Sequence, residues 1–101
     1  MYLIQLFLPL HDNENQAIPV EHFNTVRTEL TRRFGGVTAF LRSPAKGLWE
    51  ENDEINQDDV VLFEIIAENF AKDWWREYRG QLQCLFKQKE VLIWATSVEK
   101  L

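Results

Sequence analysis

The sequence predicts an α+β fold with the element order β-α-β-β-α-β. Three observations carry that expectation. Short stretches in which apolar residues recur at every second position recur along the chain. Two longer stretches between them repeat their large apolar residues every three or four positions, as an amphipathic helix does. A Gly35-Gly36 pair ends the first of these, just before extended chain must begin again.

The first strand is expected over residues 2–8, with Tyr2, Ile4, Leu6 and Leu8 on one face. Residues 11–16, His-Asp-Asn-Glu-Asn-Gln, are polar and rich in turn formers, so they read as a loop. Pro19 suits the first turn of a helix, where its missing N–H is not needed. Phe23, Val26, Leu30 and Phe34 form that helix's apolar stripe.

Residues 37–43 alternate and give the second strand. Pro44 and Gly47 interrupt it as a bend or bulge, Leu48 and Trp49 resume it, and residues 51–54 read as a hairpin tip. The third strand, residues 59–67, is apolar on both faces except at Glu64, which suggests a central strand. The second helix is expected over residues 71–87, with Trp74, Tyr78, Leu82 and Leu85 as its stripe and Trp75 and Phe86 on its flank. Residues 91–98 give the last strand. Two right-handed crossovers joined by a hairpin make a ferredoxin-like sandwich: a four-stranded antiparallel sheet, first and third strands central, with two helices on one face.

Composition bounds the functional classes. One hundred and one residues make a single domain, and 46% hydrophobic with 27% charged residues is ordinary for a folded soluble protein. The one cysteine, Cys84, excludes an internal disulfide and favours a reducing compartment, the cytoplasm. The apolar N-terminal run is too short to span a bilayer and lacks a basic lead, so no membrane partner is expected. A net charge of −5 disfavours nucleic acid. Acids outnumber bases before Phe70 and bases slightly outnumber acids from Ala71 onward.

The strand alternation makes a surface prediction. Ile4, Leu6, Ala39, Leu41, Val61, Phe63, Ile65, Ile93 and Ala95 are the most uniformly apolar set and belong under the helices. The opposite face then carries Gln5, Phe7, Phe40, Arg42, Leu62, Glu64 and Trp94, together with Leu3, Thr38, Ile66, Leu92 and Thr96. Large apolar groups gathered on a water-facing sheet call for a cover, and a homodimer packed sheet on sheet supplies one. Gln5, Arg42 and Glu64 are polar groups within that patch. Either they build a pocket for a small molecule, or Arg42 and Glu64 pair across neighbouring strands with Gln5 bonded to one of them.

Other motifs carry less. The acidic run at residues 50–59 lacks the glycine and terminal glutamate of a calcium-binding loop, so no metal is expected there. His11 and His22 have no third ligand at a metal-binding spacing and read as surface residues. Cys84, on the flank of the second helix's stripe, reads as a partly buried inert thiol. No cofactor motif and no nucleophile elbow is present, and the third strand has an acid where an RNA-binding sheet needs stacking or basic groups.

The runs Arg33-Phe34-Gly35-Gly36-Val37-Thr38-Ala39, Gly47-Leu48-Trp49-Glu50 and Asp59-Val60-Val61-Leu62-Phe63-Glu64 resemble small bacterial proteins of about this length that have no assigned activity. That resemblance implies the ferredoxin-like fold and carries over no catalytic residue. The architecture is more loosely similar to dimeric α/β-barrel proteins, some of them monooxygenases. Two functions stay open: a homo-oligomeric binding or interaction module, and an enzyme using Glu64, Arg42 and His11 or Trp94 in a pocket on the sheet. An accessory subunit docking on another protein is a third.

Overall fold

The computed structural model describes residues 1–42 and 60–101, with side chains for residues 1–38 and 60–101. Four strands and two helices follow one another as β1 (Tyr2–Pro9), α1 (Val20–Phe34), β2 (Thr38–Arg42), β3 (Val60–Ala67), α2 (Lys72–Leu85) and β4 (Leu92–Ser97). This is the α+β order that periodicity predicts. The bend at Pro44 and Gly47, Trp49 and the hairpin tip at residues 51–54 lie outside the described residues.

The strands pair in the order β2-β3-β1-β4, every neighbour antiparallel, in one open sheet. Ile4 stands opposite Ile65 and Ala95, and Leu6 opposite Phe63 and Ile93, so one face of three strands is apolar throughout. These residues join Val26 and Leu30 of α1 and Trp75, Tyr78 and Leu82 of α2 in one core. Ile4, Leu6, Phe63, Val26 and Phe86 are sealed from water completely. Each such side chain contributes about 1.5–3 kcal/mol by leaving water, so this shared face fixes how the helices lie on the sheet.

Pro19 sits one residue before α1 with an extended ψ of 142°, and its carbonyl accepts the His22 N–H at 3.0 Å. Gly35 ends α1 in the left-handed conformation at φ 83°, with its N–H donating to the Thr31 carbonyl at 2.8 Å. That is the glycine stop the sequence predicts.

The end of α2 also turns on a left-handed residue, but without glycine and with different bonds. The Gln88 N–H reaches the Gln83 carbonyl at 2.9 Å and the Lys87 N–H reaches Cys84 at 3.3 Å. Lys87 takes the left-handed conformation between them, at φ 50°. The Asn13 N–H donates to the Lys87 carbonyl at 3.2 Å, and the Gln88 side chain donates to the His11 carbonyl at 3.0 Å. The first loop thus holds the corner in place.

Three expectations require correction. The buried side of α2 is Trp75, Tyr78, Leu82 and Phe86, with Trp74 and Leu85 only partly covered. Both sets have helical spacing, and packing chooses between them. Trp75 stacks on Phe34 at 5.5 Å, whereas Trp74 lies beneath the Arg33 guanidinium at 4.1 Å. Cys84 is exposed rather than partly buried. His11 and His22 are half-buried rather than on the surface. Their Nδ1 atoms are shielded without a hydrogen-bond partner among the described residues, and His22 packs edge-on against Phe86.

Candidate functional site

The face of the sheet turned away from the helices carries the polar and aromatic residues that alternation assigns to it. Gln5, at the centre of β1, faces Glu64 on β3 and Trp94 on β4. Its Nε2 donates to Glu64 Oε2 at 2.7 Å, and both side chains are half-buried. A carboxylate among hydrophobes needs such donors, because desolvation without them costs several kcal/mol.

Two residues along β1, Phe7 stands opposite Leu62 and Leu92, and its ring meets Trp94 edge to face at 5.3 Å. Leu62 is only 3% exposed although it belongs to this face and lies outside the core cluster. Phe40 is in register with Leu62 and Arg42 with Val60. Their side chains lie outside the described residues.

The register separates one expected pair. Glu64's neighbour on β2 is Thr38, and Arg42 is four residues along the ladder from it, on the order of 13 Å at strand spacing. Arg42 is therefore not the cross-strand partner of Glu64. Gln5 takes the carboxylate instead.

Water reaches three large apolar residues of this face. Ile66 is 51%, Leu92 41% and Trp94 52% exposed, and all three point to the side opposite the core. Leu3, half-buried between Ile66 and Thr96, continues the apolar surface toward the start of β1. Soluble monomers scatter large apolar residues singly, so a contiguous set on a flat sheet is the informative departure.

A shallow recess of about 600 Å³ adjoins the Glu64 end, lined by Leu3, Ile66 and the Phe34-to-Thr38 turn as well as Glu64. A second hollow of about 630 Å³ lies at the other margin of the sheet, along Ile93 to Thr96 of β4 with Tyr2, Phe70 and Lys72. It continues into one of about 260 Å³ under α2, lined by Trp75, Arg76 and Arg79 together with Phe70, Lys72 and Ile93. Sequence reading missed this basic margin. The signal was present, since Lys72, Arg76 and Arg79 are spaced i, i+4, i+7 on one side of a helix.

Catalytic machinery is harder to assemble. Among the described residues no three His, Cys, Asp or Glu side chains gather as metal ligands. Asp12 is occupied structurally: its carboxylate accepts the Gln16 N–H at 2.9 Å and the Glu14 N–H at 2.8 Å, which hold its pKa below the ordinary value. Tyr78 is buried with its hydroxyl unpartnered among the described residues, and burial, aided by the nearby Glu29 charge, raises its pKa. No described helix is long and apolar enough to cross a membrane. Comparison with known protein families, curated proteins and solved structures finds no match to this chain.

Proposed function

We propose that the chain is a ferredoxin-like, non-catalytic interaction module of the cytoplasm that forms a homodimer through its open sheet face. What carries the reading is the exposure of Ile66, Leu92 and Trp94 together on the side of the sheet opposite the core. A two-fold sheet-on-sheet contact sets the same apolar patch against itself, which suits a surface whose exposed large side chains are apolar and whose central carboxylate is already bonded to Gln5.

Size supports near-complete coverage. Four strands about 4.8 Å apart and eight residues at about 3.3 Å rise give a face of roughly 500 Å² in plan. A standard stable interface uses about 800 Å² of accessible surface per partner, so the whole face is needed. Sedimentation equilibrium on the wild-type chain tests this. A dimer at tens of micromolar, with amide exchange slowed along β1 and β3, is the expected result. A monomer at that concentration overturns the proposal.

A second reading has one observation in its favour: Glu64 borders the recess beside the Gly35-Gly36 turn. In it the chain is an enzyme of the dimeric α/β-barrel type that takes a small molecule at that recess, with Glu64 as an acid or base held by Gln5. Glu64→Gln separates the two. It leaves the dimer intact under the first reading and abolishes turnover under the second.

A further inference from the structure

The outer edge of β4 has features that the sheet-face contact does not use. The Val98 N–H donates to the Met1 carbonyl at 3.0 Å, and Tyr2 stands opposite Ser97. In an antiparallel ladder the main-chain groups of alternate residues point to opposite sides. Those of Leu92, Trp94, Thr96 and Val98 therefore point to β1, and those of Ile93, Ala95 and Ser97 point outward. Among the described residues no strand pairs with that edge. Edges of this kind are usually covered or blunted, because they template strand addition.

What lies beside the edge selects the occupant. The Ile93 and Ala95 side chains are turned to the helix side, where they pack on the core. A strand added next to them would send alternate side chains into the groove between β4 and α2. The floor of that groove is Phe70, Trp75 and Ile93, and its rim is Lys72, Arg76 and Arg79. None of the described residues lining the two hollows is acidic. Arg76 meets Asp73 at 3.5 Å, but both side chains are solvated, and exposed pairs of this kind contribute about 0–1 kcal/mol. So weak a pair does not hold the guanidinium back from a ligand.

We propose that the β4 edge and this basic groove receive an extended acidic peptide segment of another protein, which adds to the sheet as a fifth strand. Alternating N–H and C=O groups at Ile93, Ala95 and Ser97 match a polypeptide backbone, which nucleic acid cannot imitate. Pairing of β4 with β4 of a second copy would set two basic rims against each other, and like charges across an interface cost several kcal/mol. An acidic segment neutralises the rim. The edge is distinct from the sheet face, so this inference and the proposed self-association can fail independently.

The test uses the full chain and a fluorescein-labelled peptide alternating glutamate and valine, with a lysine–valine peptide as control. Anisotropy is expected to show saturable binding of the acidic peptide, weakened by added salt, and no binding of the basic one. Lys72→Glu and Arg79→Glu should each raise Kd at least tenfold. Ala95→Pro removes an outward N–H while leaving the ladder to β1 complete, and proline is tolerated at just such edge positions; binding should be lost with the melting temperature held. In the wild type, the Ile93, Ala95 and Ser97 amide signals should move on titration. Equal binding of both peptides overturns the inference, as does undiminished binding by a folded Ala95→Pro. Protection of the Ile93 and Ala95 amides in the peptide-free dimer also overturns it, by giving the edge to a second copy.

Discussion

Replacing Trp94 with glutamate puts the sheet-face reading under the most direct strain. Trp94 is 52% exposed, which for a side chain of about 250 Å² leaves roughly 130 Å² for a partner to cover. Counted on both copies of a two-fold dimer at about 25 cal/mol/Å², that surface is worth up to about 6 kcal/mol. About half survives imperfect packing and ordering costs, so the dissociation constant should rise at least ~100-fold, or ~2.7 kcal/mol. The ring also packs edge-on against Phe7 at 5.3 Å, so the variant should lose a further ~0.5–1.5 kcal/mol of monomer stability. Sedimentation equilibrium reads the first effect and urea denaturation of the dilute monomer reads the second. Leu92→Lys, 41% exposed, should weaken the dimer similarly. Val20→Glu, 69% exposed at the start of α1, should not change it. A dimer of unchanged affinity in Trp94→Glu and Leu92→Lys alike would refute the reasoning, because the patch would then not be the interface.

The remaining predictions concern the frame that holds the face. Tyr78→Phe should stabilise the chain by about 1 kcal/mol, since it removes a buried hydroxyl with no described partner and keeps the ring stacked on Trp74 at 4.9 Å. The pH dependence has a definite sign: with the folded pKa of Tyr78 raised, the unfolded chain ionises first, so wild-type stability falls as pH rises above about 10, whereas Tyr78→Phe lacks that fall. Gly35→Ala, at φ 83°, should cost about 1–2 kcal/mol, while Lys87→Gly, at φ 50°, should gain about 1 kcal/mol; thermal melts read both. With the folded pKa of Asp12 lowered, its contribution is present above about pH 4 and lost on acidification below it, and acid titration of Asp12→Ala should lack that loss.

Much of the fold was legible because strand and helix periods leave separate marks. Period two assigns Gln5, Phe7, Glu64 and Trp94 to one face before any register is known, and the ladder unites those four. The glycine stop of α1 was readable because few residues other than glycine take a left-handed φ without strain. The corner at Lys87 was not readable, since there a lysine is held by contacts from a loop more than seventy residues earlier.

By itself the sequence determined the order of the elements and the apolar residues that share the sheet's second face. Tertiary structure decided the rest. A 3.6-residue period allows Trp74 or Trp75 to be the buried tryptophan; Phe34 meets both rings, and only the way α2 lies on the core buries Trp75 and leaves Trp74 partly covered. Alternation places Arg42 and Glu64 on one face, but register along the ladder sets them four residues apart and hands the carboxylate to Gln5. Likewise the direction of each β4 amide depends on which of its residues bonds to β1. Periodicity is a property of one segment, whereas register, partner choice and the outward turn of an amide are relations between segments.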